Sequence, residues 1–220
     1  MNKISTSKVL LVAICVLATA ATLQAGLLTS QPSGTTTVLT TVTGTWSYSP
    51  SVVAGGFTVT GENVWYGDSE FGLSNNGDWN GFAWVGGYCY SGDCTATINL
   101  GGLYSTVGGF MNYAALSGGA AGGPGDPIIS AIASDGVTVL ESYDLATMAP
   151  IDTPDGYNDG AFRGIYRSQD DIAYFQISGS YLIMHDITLN GATVPEPGTL
   201  TLLGAALLLG AGTLRRRVMR

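Results

Sequence analysis

Lysine is absent between Gly26 and Val194. In that stretch only Arg163 and Arg167 stand against fifteen carboxylates, leaving a charge of about −13. A surface of that sign repels nucleic acid and anionic membranes through its long-range field, so nucleic-acid binding is excluded. It suits a divalent-cation binder or a protein living in a hydrated matrix. Histidine is nearly absent too, His185 being the only one in the chain. With no second histidine, no His-Glu-x-x-His run and no Gly-x-Ser-x-Gly elbow, the common zinc and serine hydrolase arrangements are excluded. Glycosidase chemistry asks only for two carboxylates about 5–9 Å apart, and Glu62, Glu70 and Glu141 are available for it. Acids in turn-rich loops are ordinarily just solvated. The chain therefore reads as non-catalytic, with a secreted polysaccharide-acting hydrolase that uses paired carboxylates as the alternative.

Helical periodicity is missing from the same stretch, where only Tyr143 to Met148 offers one turn. What is present is glycine, 28 of the 32 falling between Gly26 and Val194, with eleven tyrosines and four tryptophans in the chain. Plentiful aromatic and β-branched residues exclude a disordered composition. The pattern is one of short strands joined by tight turns. Phe57–Thr60 alternates, turns at Gly61-Glu62-Asn63 and resumes at Val64–Tyr66; further strands are expected at Phe82–Val85, Tyr88–Tyr90, Thr95–Leu100 and Val107–Tyr113. Ile128–Ala133 and Val137–Glu141 flank the hairpin signal Ser134-Asp135-Gly136. Ala161–Ile165, Ile172–Ile177 and Tyr181–Leu189 complete the set. About ten strands without crossover helices predict an all-β fold, an antiparallel β-sandwich of jelly-roll type. An outer-membrane barrel is disfavoured by short strands whose outward faces are not consistently apolar.

Two loops hold candidate ligands. Asp152, Asp155, Asn158 and Asp159 crowd hard oxygen donors between glycine turns, a pattern suited to Ca²⁺ though not an EF-hand, since the glutamate at position 12 is lacking. An Asx-turn loop in water is the plain alternative. The second loop is Asn75-Asn76-Gly77-Asp78-Trp79-Asn80-Gly81. Trp65 and Trp84 lie inside strand patterns and are assigned to the core. Trp79 is the candidate for an exposed ring that stacks on a sugar, with Asn76 and Asp78 taking its hydroxyls. His185, by strict alternation along the last strand, shares a face with Tyr181, Ile183, Ile187 and Leu189.

The two ends of the chain differ from everything between them. Lys3 and Lys8 precede an apolar stretch from Val9 to Leu23, with Leu23-Gln24-Ala25 as a cleavage site and Ala18-Thr19-Ala20 as a second; this is a secretory signal peptide layout, handled by the Sec translocon and signal peptidase. At the other end Val194-Pro195-Glu196-Pro197 breaks secondary structure, and 17 residues without a charge follow, from Gly198 to Leu214. As a helix that run is about 26 Å long, at the short end of a single transmembrane span. Arg215, Arg216, Arg217 and Arg220 then place the C-terminus in the cytoplasm and the body outside it. The expected layout is signal peptide 1–25, Ser/Thr-rich lead-in 26–45, β-sandwich body 46–193 and C-terminal signal 194–220. Outside the cytoplasm Cys89 and Cys94, which span a Ser-Gly-Asp turn, read as a disulfide pinning a hairpin. So short a loop contributes about 2 kcal/mol.

Val194, Pro195, Glu196 and Pro197, the Thr199–Leu203 opening of the apolar run and Arg215, Arg216 and Arg217 together resemble the PEP-CTERM sorting signal of Gram-negative bacteria that make extracellular polysaccharide. The resemblance implies recognition by exosortase, an integral-membrane cysteine protease, and transient anchoring. Release to the cell surface or the extracellular matrix would follow, with extracellular polysaccharide a candidate partner. Gly109–Ala114, Val139–Leu145, Asn158–Ile165 and Asp171–Leu189 are similar, less specifically, to bodies found ahead of such signals.

Overall fold

The computed structural model describes residues 25–44, 46–69, 71–72, 76, 78–79, 82–87, 95–113, 126–151, 157–179 and 182–190. The cleavage region before Ala25, the Cys89–Cys94 pair, Glu70, Asp152, Asp155 and the sorting signal 194–220 lie outside the described residues. So does the run 198–214; among the described residues no helix is long and apolar enough to cross a membrane.

In chain order the strands are β1 (Gly26–Leu28), β2 (Thr36–Val38), β3 (Ser47–Ala54), β4 (Phe57–Gly67), β5 (Phe71–Gly72), β6 (Asp78–Trp79), β7 (Trp84–Gly87), β8 (Thr95–Tyr104), β9 (Thr106–Tyr113), β10 (Ile128–Ile132) and β11 (Val139–Asp144). One helical turn, α1 (Leu145–Met148), precedes β12 (Tyr157–Asn158), β13 (Ala161–Tyr166), β14 (Ile172–Ser178) and β15 (Leu182–Asn190). The all-β expectation holds, but the sandwich of two sheets is corrected. Twelve strands form one antiparallel sheet in the order β1-β13-β9-β15-β7-β4-β8-β14-β10-β11, with β2 added on β15 and β3 on β4. The sheet curls into a nearly closed, barrel-like form. β14 lies over β9 and β7, and β10 over β13, so two facing layers exist but stay joined through β7 and β4. Continuous pairing of this kind leaves fewer open edges than two separate sheets would.

The expected turn at Gly61-Glu62-Asn63 is corrected as well, because β4 runs straight through it. Its first half pairs with β8 (Thr58 opposite Asn99) and its second with β7 (Val64 opposite Gly87). The partner switch coincides with a shift in the β3 register between Ser49 and Ser51. Gly61 sits so close to the Thr95 carbonyl that a β-carbon would collide with it. Glycine therefore marks a close backbone approach here and not a turn.

Other signals hold. β10 and β11 form the predicted hairpin: Gly136 has φ +73°, and the Asp135 carboxylate accepts from Val137 N at 3.0 Å and Thr138 N at 2.8 Å. Asp144 caps α1, accepting from Ala146 N at 2.9 Å, as a short side-chain acceptor before a helix should. The lead-in joins the sheet, β1 pairing with β13 and β2 with β15. Inside the curl, Val59, Ile98, Phe175, Ile177, Leu182 and Met184 are fully buried, in a mainly aliphatic core whose buried aromatics are Phe175 and Tyr113.

Candidate functional site

The site forms on the outer side of β15. Along that strand Leu182 and Met184 point into the core and Ile183 and His185 away from it. Strict alternation would keep Ile187 and Leu189 beside His185, as expected above, yet both lie in the core. The cause is a bulge. The β9–β15 register shifts between His185 and Thr188, and Asp186 has φ +55°, a left-handed conformation an aspartate tolerates better than most residues. The extra residue flips the parity of the strand. Asp186 is fastened by a reciprocal pair: Thr40 N donates to its Oδ1 at 3.1 Å, and its own N donates to Thr40 Oγ1 at 2.9 Å.

The outward residues are covered by a second, three-stranded sheet in the order β12-β6-β5. β6 pairs with β12 in parallel, Asp78 opposite Tyr157 and Trp79 opposite Asn158. The two loops singled out separately in the sequence thus meet in one surface. Beneath it Trp65, Trp79, Trp84 and Ile183 form a buried cluster. Trp65 and Trp84 are core residues, as expected. Trp79 belongs with them, against expectation: it has no exposed area, and its Nε1 donates to the Phe82 carbonyl at 2.9 Å. Its ring is therefore unavailable for stacking on a sugar, which corrects the expectation of an exposed face. Asn76 is buried too, donating to Asn112 Oδ1 at 2.8 Å and to the Tyr113 carbonyl at 2.7 Å. Of that trio only Asp78 is exposed.

His185 is clamped in this cluster. Phe82 stacks on it at 4.8 Å between centroids, Phe110 at 5.3 Å, and Trp79 meets it edge-on at 5.2 Å. Its Nε2 donates to the Asp159 carbonyl at 3.0 Å, and its Nδ1 lies 3.1 Å from Asp186 Oδ2. Both nitrogens are engaged, which fixes the orientation of the ring. Asp159 of the proposed calcium loop is exposed at its side chain, and the backbone of Asn158 belongs to β12. Among the described residues no group of three or more histidine, cysteine, aspartate or glutamate side chains converges as a metal site.

The aromatic faces that do reach solvent are ones sequence reasoning passed over. Phe82 is 45% exposed and Tyr157 63%. Trp46 and Tyr48 are also exposed; Trp46 meets the buried Trp65 edge-on and Tyr48 lies parallel to it. A turn-rich loop gave no sign that β6 would pair with β12, from a distant stretch of chain, with Trp79 turned inward and Tyr157 left outside.

Two polar groups stand elsewhere. Arg163 is buried; its Nε donates to Tyr113 Oη at 2.9 Å and its Nη2 to the Ala149 carbonyl at 2.9 Å. Burial pushes the Tyr113 hydroxyl up, and the hydrogen bond and charge of Arg163 partly offset this. Arg167 joins Asp171 through two hydrogen bonds and Glu141 at 2.9 Å. Glu141 is thus one arm of an ion-pair network.

The class that fold and surface define is an antiparallel β body with an aromatic, acidic outer face. The comparison with known families is more specific at the far end: residues 193–217 match the family model of the PEP-CTERM protein-sorting motif. The chain therefore carries the signal that the sequence resemblance implied, which marks export, transient membrane anchoring for sorting and recognition by exosortase. Neither a curated protein nor a solved structure matches the chain.

Proposed function

We propose that this is an exosortase-sorted protein of the cell surface or extracellular matrix that acts without catalysis, as a structural or glycan-associated component. The observation that carries this reading is the sorting motif at residues 193–217. Supporting the glycan part, exposed Tyr157 and Phe82 lie on the same surface as the exposed carboxylates of Asp78 and Asp159. Sugar rings stack on such faces while neighbouring carboxylates accept from their hydroxyls. Ca²⁺ held by the segment of Asp152, Asp155, Asn158 and Asp159 would add a bridge between the acidic surface and anionic sugars.

Sorting is tested by C-terminal peptide mass spectrometry on the surface fraction. Termini near Pro195 are expected, and Glu196→Ala with both prolines replaced by alanine should leave full-length protein in the inner membrane. Recovery of Arg217 or Arg220 from most surface molecules would make the tail a permanent anchor. A glycan array probed with the released body, with and without Ca²⁺, tests the rest. Tyr157→Ala and Phe82→Ala should each weaken binding; unchanged binding removes this surface from the proposal.

A further inference from the structure

Both ends of the described body leave from one row of the sheet. Gly26 of β1 pairs with Tyr166 of β13, Tyr166 pairs with Thr106 of β9, and Thr106 pairs with Asn190 of β15. Three strand spacings separate the first member from the last, about 14 Å. Asn190 is fastened there, its carbonyl accepting from Ser105 N at 3.2 Å and Ser105 Oγ at 3.1 Å. Arg167 N donates to the Ser105 carbonyl at 2.7 Å, which extends the row.

Two apolar segments are attached to this row in the sequence, one ending before Gly26 and one beginning at Gly198. Eight residue steps separate Asn190 from Gly198, a reach of at most about 29 Å even when fully extended. That is no longer than the nine-residue strand β15 itself, about 30 Å, so a body tethered at this row turns its opposite end to the bilayer only against the limit of its connection.

The surface beside the row agrees with this placement. Leu103 is two residues from Ser105 and exposed, and Val139 lies next to Leu140, whose carbonyl accepts from Arg167 Nη1 at 3.3 Å. Val137 and Val139 are also exposed, at 80% and 55%. The charged groups here are Arg167, paired with Asp171 and Glu141, and the exposed Asp170 and Asp135. That balance gives no attraction to anionic lipid, so the connection and the apolar side chains must hold the contact.

We propose that the row of Gly26, Tyr166, Thr106 and Asn190, with Leu103, Val137 and Val139 beside it, faces the lipid bilayer before sorting. The proposal rests on the anchoring reading given above. It places the sorting protease's target in a narrow gap between folded body and membrane, and turns the outer surface around Tyr157 away from the lipid.

The test uses full-length chain in vesicles of zwitterionic phosphatidylcholine. An environment-sensitive fluorophore is placed at Gln169→Cys, beside the row, or at Asp78→Cys on the outer surface, with headgroup-nitroxide lipid as quencher. Quenching at position 169 should exceed that at 78 severalfold. Equal quenching, or stronger quenching at 78, in protein that floats with the vesicles overturns this proposal alone. Protein that does not float overturns the anchoring reading and the proposal with it. A twenty-residue Gly/Ser insertion after Gly191 adds about 25 Å of root-mean-square reach and should reduce the contrast at least about twofold. An undiminished contrast overturns the role given to the short connection.

Discussion

Strand β15 is buried on both faces, and the two sides are built differently. Inward, Leu182, Met184, Ile187 and Leu189 meet a core that includes Val59, Ile98 and Phe175, groups that supply shape and volume. Outward, Ile183 and His185 meet Trp79 and its neighbours, where polar handles are tied as well: Trp79 Nε1 to Phe82 O, Trp84 Nε1 to Ser69 O at 3.3 Å, His185 Nε2 to Asp159 O. The inner side is closed by the curl of the sheet itself, so it needs apolar bulk at alternating positions. The outer side is closed by two-residue strands from separate parts of the chain, so it depends on hydrogen bonds that fix where Trp79, Trp84 and His185 sit.

Four substitutions break or sharpen that contrast. Phe175→Ala, in the inner core, should cost the most, about 3–5 kcal/mol, as a fall in urea midpoint at unchanged slope. Trp79→Ala should fall at the low end of that range, about 3 kcal/mol, because three short cover strands can settle into the space. Near-ultraviolet circular dichroism should drop sharply while amides of β14 stay protected from exchange. Deprotection of β14 to the extent seen with Phe175→Ala would erase the distinction between the two sides. Asp186→Ala removes the hydrogen bond from Thr40 N to Oδ1 and the contact of Oδ2 with His185 Nδ1, keeps the backbone N–H to Thr40 Oγ1, and leaves alanine in a left-handed conformation, a loss of about 2–3 kcal/mol. Asp186→Gly loses the same side chain without the steric strain and should unfold at a higher temperature than the alanine variant. The reverse order would show that the bulge is not held in that conformation.

The smallest effect belongs to a residue on neither side. Asp135 is held down to about 2, first by the Thr138 hydroxyl and then by the backbone N–H groups of Thr138 and Val137. A lowered folded-state value means this contribution is complete above the unfolded value near 3.8 and is lost as pH falls through about 2. Asp135→Asn should therefore flatten the stability profile between those two values and nowhere else. A profile parallel to that of the unsubstituted protein would dismiss the Asp135 contribution.

The inner side was readable because it follows from local pattern: Ile172–Ile177, Val107–Tyr113 and the Asp135-Gly136 hairpin each announce themselves within a few residues. The turn mistaken at Gly61 shows the limit, since one glycine can serve a turn or a close approach, and only the position of Thr95 decides. The outer side was hidden for a related reason. Whether Trp79 is buried depends on its packing against Ile183 and His185 of the distant β15, and which way Ile187 points depends on one left-handed residue at Asp186. Nothing beside either residue in the sequence carries that information. The sorting signal was legible because its three parts are contiguous.

The place of β15 also bears on time. All three of its partners, β2, β7 and β9, precede it in the chain. Some contacts it makes, such as Thr188 with Thr37, span 151 residues. Pairings that remote form slowly, because a long loop must be closed before any gain is realised. Were the chain exported from its N-terminus while still being made, the sheet could not close until β15 had emerged, since that strand joins β9 to β7 and follows every other described strand. Order of synthesis would then keep the chain open during passage.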